Sequence, residues 1–375
     1  MTDEKTLQSG SSVVADDLGM ITARASAELS AMAGDSLLLV GGGGFLGYYL
    51  VQAVLAWNSE NHSQPIALTV YDNWIRGTPG WLEDLKGHTE LDIRTIDITR
   101  PLSPNTPHYE WVIHAASIAS PTYYREHPIE TMDANVNGLR NLLEYARGQQ
   151  QGGQPIKGFL FFSTSEIYGD PTPDAIPTPE SYRGNVSCIG PRACYDESKR
   201  YGETLSVNFA RVHKLPVKIV RPFNNYGPGL KISDGRVLSD FARDVLHGRD
   251  IVIHSSGAPT RTFCYIADAI VGYYKTLVNG RSGEPYNIGT DAPEISIADL
   301  AERVASIARK GLGYRGSVVH EPSEDTDYLV DSPNRRCPEI TKASTELGFR
   351  PQVSLDDGLW RSLLWYRDIH PVEET

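Results

Sequence analysis

Apolar residues along this chain follow two rhythms. Short continuous runs such as LLLV, IALTV, WVI and FLFF have the length of strands buried on both faces, and the stretches between them carry apolar positions three and four residues apart. The runs predict strands in SLLLV, IALTVYD, LDIRTID, WVIHAAS, GFLFFSTS and VKIVRPF, with EPYNIG as a later return to the sheet. The helical rhythm is clearest over 128–149, where Met132, Val136, Leu139, Leu142, Leu143 and Ala146 share a face, and a second long helix is predicted over 195–213. Repeated strand–helix alternation predicts an α/β fold with a doubly wound parallel sheet.

Two other regions read differently. Residues 1–35 begin polar and then place Ile21, Ala25, Leu29 and Met32 at helical steps, which predicts a partly disordered arm ending in one helix. Residues 223–261 and 289–375 are richer in Gly, Pro and charge and predict a smaller second α/β lobe. The main domain is then 36–222 plus 262–288.

Composition narrows the function. Thirty-five Lys and Arg against forty-seven Asp and Glu give a net charge of −12, with no dense basic run, which argues against a nucleic-acid partner. An anionic substrate would need a local cluster of Arg or Lys. Cys188, Cys194, Cys264 and Cys337 form no C-x-x-C pair, so no metal site is expected and the thiols read as reduced, in a cytoplasmic protein. No apolar run approaches the ~20 residues of a membrane span.

Candidate chemistry concentrates where strands end. Gly41, Gly44 and Gly47 enclose Phe45 and Leu46 between a predicted strand and helix, a turn that lets backbone approach a pyrophosphate at a helix N-terminus. Asp72, with Asn73 beside it, closes the second strand, where a carboxylate accepts ribose hydroxyls and repels a 2′-phosphate, so NAD is expected rather than NADP. Arg76, four residues on, is the residue that would favour a 2′-phosphate. Asp97 and Ile98 follow the third strand; Asp97 reads equally as an adenine contact or as a solvated strand-end carboxylate.

Tyr195 and Lys199 are one helical turn apart, and a nearby ammonium would lower the phenol toward neutrality for proton transfer. Thr164, Ser165 and Glu166 leave the fifth strand together, offering a hydroxyl and a candidate acid or base.

These residues, with GPRACYDESKR, RPFNNYGP, SDGRV, TRTFCYIAD and RRCPEITKASTELGF, resemble the extended short-chain dehydrogenase/reductase family over roughly residues 36–370. The family's NAD-dependent members modify nucleotide sugars on a Rossmann-type fold. Within it the likeness is greatest to UDP-glucuronate decarboxylases. The resemblance implies a catalytic set of Thr164, Glu166, Tyr195, Lys199 and Arg261, the last beside the sugar's C5 or, in a second reading, on diphosphate or sugar hydroxyls. It further implies substrate contacts from Tyr124, Ser165, Arg192, Asn224, Arg236 and Arg336, and a homodimer formed through the two long helices.

Sugar 4,6-dehydratases carry Thr-Asp-Glu where this chain has Thr164, Ser165 and Glu166. Simple 4-epimerases lack the carboxylate at Glu166. The expected reaction is therefore oxidation of UDP-glucuronic acid at C4, loss of CO₂ and reduction to UDP-xylose, with release of a UDP-4-keto-pentose as a second possible product. The alternatives are a uronate 4-epimerase, a 4,6-dehydratase, or a catalytically silent NAD-binding sensor.

Overall fold

The computed structural model describes residues 9–322 and 330–370. Its first elements are helices: α1 (Gly10–Arg24) and α2 (Ser26–Ala31) precede β1 (Ser36–Val40), α3 (Phe45–Glu60) and β2 (Ala67–Asp72). A short α4 (Gly80–Glu83) leads to β3 (Leu91–Thr95) and β4 (Trp111–His114). Then come α5 (Pro121–Glu126), α6 (Pro128–Asp133), α7 (Leu139–Gln151) and β5 (Gly158–Phe162), followed by α8 (Ala193–His213) and β6 (Val217–Pro222).

The second half alternates shorter pieces. These are β7 (Asn225–Tyr226), α9 (Val237–Leu246), β8 (Ile251–Ile253), β9 (Thr260–Arg261), β10 (Cys264–Tyr265), α10 (Ile266–Asn279) and β11 (Pro285–Ile288). The chain finishes with β12 (Ile295–Ser296), α11 (Ile297–Leu312), β13 (Val318–His320), β14 (Arg335–Arg336), α12 (Thr341–Leu347) and α13 (Leu355–Ile369).

Seven strands form one parallel sheet in the order β11–β6–β5–β4–β1–β2–β3. All seven expected strands are in it. Alternate residues of β1 divide the interior: Leu37 and Leu39 enter the core that holds α3 and α10, and Leu38 and Val40 enter the one that holds α7 and α8. Both faces are thus covered, as the near-continuous apolar runs required. The order reverses between β4 and β1, and β1 pairs Leu37 with Leu68 on one side and with Trp111 on the other. An open parallel sheet binds ligands beyond the carboxyl ends of its strands at such a reversal.

Two expectations change. The helix read over 128–149 is interrupted by a π-helical turn, Ala134–Gly138, between α6 and α7. From Gly10 on, the N-terminal segment holds two packed helices where one was expected, and the disorder expected at its start lies outside the described residues. Its Val13, Ile21 and Leu29 are fully buried, and Asp17 accepts hydrogen bonds from Tyr49, from Tyr265 at 2.6 Å and from Arg361 at 2.8 Å. Burial outweighs these partners and pushes Asp17 up to about 6. Periodicity missed the first helix because its buried positions include Gly10 and Asp17, which carry no hydropathy signal.

Candidate active site

Beyond the ends of β1, β4, β5 and β6 lies a cleft of about 390 Å³. Its lining gathers residues from distant parts of the sequence: Gly41, Gly44, Phe45 and Leu46 at one end, and Tyr124, Thr164, Ser165, Glu166, Arg192, Tyr195, Lys199, Asn224, Arg236, Arg261 and Arg336 toward the other. Gly47, Asp72, Asn73, Asp97 and Ile98 lie outside that lining.

At the first end the glycines are fixed by geometry. Gly41 has φ +86°, and a Cβ there would sit 2.4 Å from the backbone nitrogen of Ala116; one on Gly47 would meet the Gly42 carbonyl at 2.0 Å. Gly44 caps α3 with no side-chain acceptor, leaving the helix's first N–H groups for an anion. Asp72 accepts from the Gly43 N–H and the Trp74 N–H, both at 2.9 Å, and so ties the glycine turn to the end of β2. Arg76 turns away, its guanidinium 3.7 Å from the Tyr123 ring centroid and 3.5 Å from Asp234. These residues fit a dinucleotide with a free 2′-hydroxyl. Asp97 instead accepts from the Thr99 N–H and hydroxyl in a local turn, Asn73 accepts from the Ile75 N–H, and Ile98 is buried beneath Gly138.

At the other end Tyr195 stacks on Tyr124 with ring centroids 5.1 Å apart and planes within 8°. The Lys199 Nζ is buried, donates to the Phe162 carbonyl at 2.7 Å and lies 5.8 Å from the Tyr195 ring centroid. Burial lowers Lys199 to about 7. The expected drop of the Tyr195 phenol is absent from this arrangement: burial pushes it up to about 12, against a hydrogen bond with Thr164. Lys199, itself only partly charged near neutrality, supplies too little field to reverse that.

Glu166 follows Thr164, whose hydroxyl accepts from the Glu166 N–H at 3.2 Å and starts a single 3₁₀ turn. Its carboxylate bonds both terminal nitrogens of Arg336, one at 2.6 Å, and the Arg192 Nη2 at 2.6 Å. Burial alone would raise Glu166; the two guanidiniums outweigh it and hold the carboxyl well below the usual range. Arg261, beside Arg336 in the paired strands β9 and β14, donates to the carbonyls of Thr260, Pro333 and Asn334. Burial and then the neighbouring Arg336 push Arg261 below an ordinary guanidinium, though it remains a cation at neutral pH. Arg236 donates to the Ala119 carbonyl and pairs with Asp234 at 3.1 Å, and Asn224, at φ +40°, donates to the Thr262 carbonyl.

Residues 37–289 match the model of the NAD dependent epimerase/dehydratase family. The chain belongs to that family. It is 38% identical over 323 residues to UDP-glucuronic acid decarboxylase 5 of Arabidopsis thaliana, covering 86% of each chain. It is 34% identical to UDP-glucuronic acid decarboxylase 1 of Xenopus tropicalis, over 88% of this chain and 72% of that one. Among solved structures, a dTDP-glucose 4,6-dehydratase from Streptomyces venezuelae with NAD bound superposes with a TM-score of 0.75, at 26% identity over 89% of this chain and 97% of that one.

Family membership agrees with the NAD fit of the glycine turn and Asp72. Sequence reasoning passed over three buried polar groups beside this family's cleft. His114, at the end of β4, is buried and lowered to about 3 by burial, then by Lys199. Asn135, in the π-turn, donates to the Ser198 hydroxyl at 2.9 Å and leaves its carbonyl oxygen without a partner. Asp196 adjoins Tyr195 at 4% exposure. Only His114 left a signal, a polar residue closing the otherwise apolar strand WVIH; Asn135 and Asp196 lie among other polar residues.

Proposed function

We propose that this protein is a UDP-glucuronate decarboxylase that converts UDP-glucuronic acid to UDP-xylose and CO₂. The observation that carries the reading is the cluster of three guanidiniums, Arg192, Arg261 and Arg336, around the single carboxylate of Glu166 in the cleft. Their surplus positive charge suits an anionic sugar, and planar forks suit carboxylate and phosphate alike. The named relatives support the same substrate. Residues 36–222 and 262–288 hold the dinucleotide in this reading, and 223–261 with 289–375 hold the nucleotide sugar.

When bound, oxidised NAD supplies a reversible hydride acceptor for C4 and a positive charge that favours the Tyr195 phenolate. Tyr195 takes the C4 hydroxyl proton, with Lys199 behind it, and C4 becomes a ketone β to the carboxylate. The C5–C6 bond then breaks, CO₂ leaves, and the electron pair moves into the C4 oxygen. Thr164 and the protonated Tyr195 donate to that oxygen, a kind of stabilisation worth about 3 kcal/mol per donor. C5 takes a proton on the Glu166 side, and Tyr195 returns its proton when C4 is reduced. Arg261 orients the carboxylate until it departs.

The protein is also proposed to be cytoplasmic and homodimeric. Tyr201, Val207 and Val212 on α8 and Ile129 on α6 are apolar and exposed, which supports pairing through these helices; sedimentation at two concentrations tests it. No helix among the described residues is long and apolar enough to cross a membrane.

Incubation with UDP-glucuronic acid and NAD⁺, followed by proton NMR and CO₂ detection, tests the function. A UDP-pentose with one CO₂ per sugar is expected. UDP-galacturonic acid without CO₂ would make the enzyme a 4-epimerase, and an accumulating UDP-4-keto-pentose with NADH would change the product.

A further inference from the structure

Glu166 sits too firmly between guanidiniums for the step at C5. Bonded to Arg192 and Arg336 it is a carboxylate that accepts hydrogen bonds and has no proton to give. Two buried polar atoms beside it mark another arrangement of the same charges. The Arg192 Nε and the Asp196 Oδ1 are each buried without a hydrogen-bond partner, and the Asp196 Oδ2 is 3.9 Å from the Arg192 Nε. Asp196 lies one helical turn after Arg192 on α8, so a small rotation of the arginine side chain closes that gap. Buried polar groups left this close without partners are a bond not yet made.

The charge count says when it forms. With the proton on Asp196, Arg192, Arg261 and Arg336 exceed Glu166 and Asp331 by one positive charge, which is the charge of one substrate carboxylate. An entering uronate would draw Arg261 and Arg336 toward itself and loosen the hold on Glu166.

Resting on the decarboxylase reading, we propose that Asp196 is a positioning residue that receives Arg192 when substrate enters, so that Glu166 is released to deliver the proton to C5. Burial, then the charge of Glu166, raises the Asp196 carboxyl well above the usual carboxylate range. The groups facing it are Glu166, Arg192, Arg336 and Asp331. At rest Glu166 is paired to two guanidiniums while an Asp196 oxygen has no partner, so the proton is on Asp196 and the guanidinium on Glu166. As Arg192 crosses to Asp196 the proton passes the other way, so the cluster neither gains nor loses one. Glu166 then gives that proton to C5 as the C4 enolate returns to a ketone, and solvent in the cleft replaces it.

The test compares the wild type with Asp196→Asn and Asp196→Glu, using UDP-glucuronic acid and NAD⁺. Asp196→Asn removes the charge that draws Arg192 and leaves the groups that oxidise C4 intact. Its kcat is expected to fall by about tenfold or more, with KM within about threefold. Enzyme-bound NADH should accumulate during turnover and the solvent deuterium isotope effect on kcat should rise, because protonation of C5 lags. Asp196→Glu should restore part of the loss. Wild-type kcat and isotope effect in Asp196→Asn would overturn the proposal. So would a loss in which NADH formation falls in step with CO₂ release and Asp196→Glu rescues nothing, since that marks a purely structural role. A wild type that releases no CO₂ overturns the functional reading and this one with it, and is told apart from the other outcomes by the same assay.

Discussion

At the glycine end of the cleft, Asp72 holds the Gly43 and Trp74 N–H groups at 2.9 Å, and Gly41 stands where no Cβ fits. At the arginine end, Arg192, Asp196 and Arg336 each keep a buried polar atom without a partner. The first end is made of backbone in one fixed shape, and the second of long charged side chains that can exchange partners. A cofactor that returns unchanged from each cycle is well served by a rigid cradle. A substrate that loses a charged group midway needs neighbours whose charges can be redistributed, and unmade hydrogen bonds leave room for that.

The largest effect is expected where the two ends meet. Tyr195→Phe should lower turnover by about 10²–10⁴-fold while UDP still binds, as titration calorimetry would show; unchanged turnover would remove Tyr195 from the proton path. Next is the arginine end itself. Glu166→Gln leaves Arg336 without its counter-charge and should cost about 3–5 kcal/mol of stability, read by denaturant unfolding. The sign with pH follows from the depressed carboxyl: because the folded value lies below the ordinary one, its stabilisation is complete above about 4.5 and is lost as pH falls through the lowered value. Wild type should therefore lose stability on acidification more steeply than Glu166→Gln, and parallel curves would contradict the ion-pair account.

The glycine end should break by shape instead of charge. Gly41→Ala forces a side chain into a left-handed conformation at a cost of about 1–3 kcal/mol, and its Cβ would also collide with Ala116. Loss of NAD binding with little change in the pH dependence of unfolding is the expected signature. Smallest is Asp72→Ser, which should shift the NAD-to-NADP preference by about tenfold toward NADP, one favourable contact being worth about 1.4 kcal/mol. A strict NAD preference in that variant would move the discrimination to Trp74, whose indole packs against Gly43.

The same contrast explains what the sequence made legible. β1, β4 and β5 were readable because fully buried parallel strands are nearly continuous apolar runs, whereas the edge strand β3 is largely exposed and carries only Leu91 and Ile93 of that signal. The glycine turn was readable because its requirement is local, a conformation only glycine adopts cheaply. Tyr195 with Lys199 was readable because one helical turn fixes their relation. The grouping of Glu166 with Arg192 and Arg336 was not, because the three come from a 3₁₀ turn, the start of α8 and β14, and only the fold sets their distance. Nor was the direction of the Tyr195 shift, since burial is a property of the packed molecule. The N-terminal helix escaped notice because Asp17, its most buried charge, reads as a surface residue until Tyr49, Tyr265 and Arg361 enclose it.

That helix also brings the first and last described elements together. The Gly10 N–H donates to the Asp368 carboxylate at 2.6 Å, so the first turn of α1 and the last of α13 are one hydrogen bond apart. A short peptide bridge could splice them into a ring with little loop entropy lost. New ends could then be opened in the exposed 61–64 turn between α3 and β2, far along the chain from α8. A permutant cut there would place the glycine turn after the arginine cluster in the chain, joined to it through the bridge.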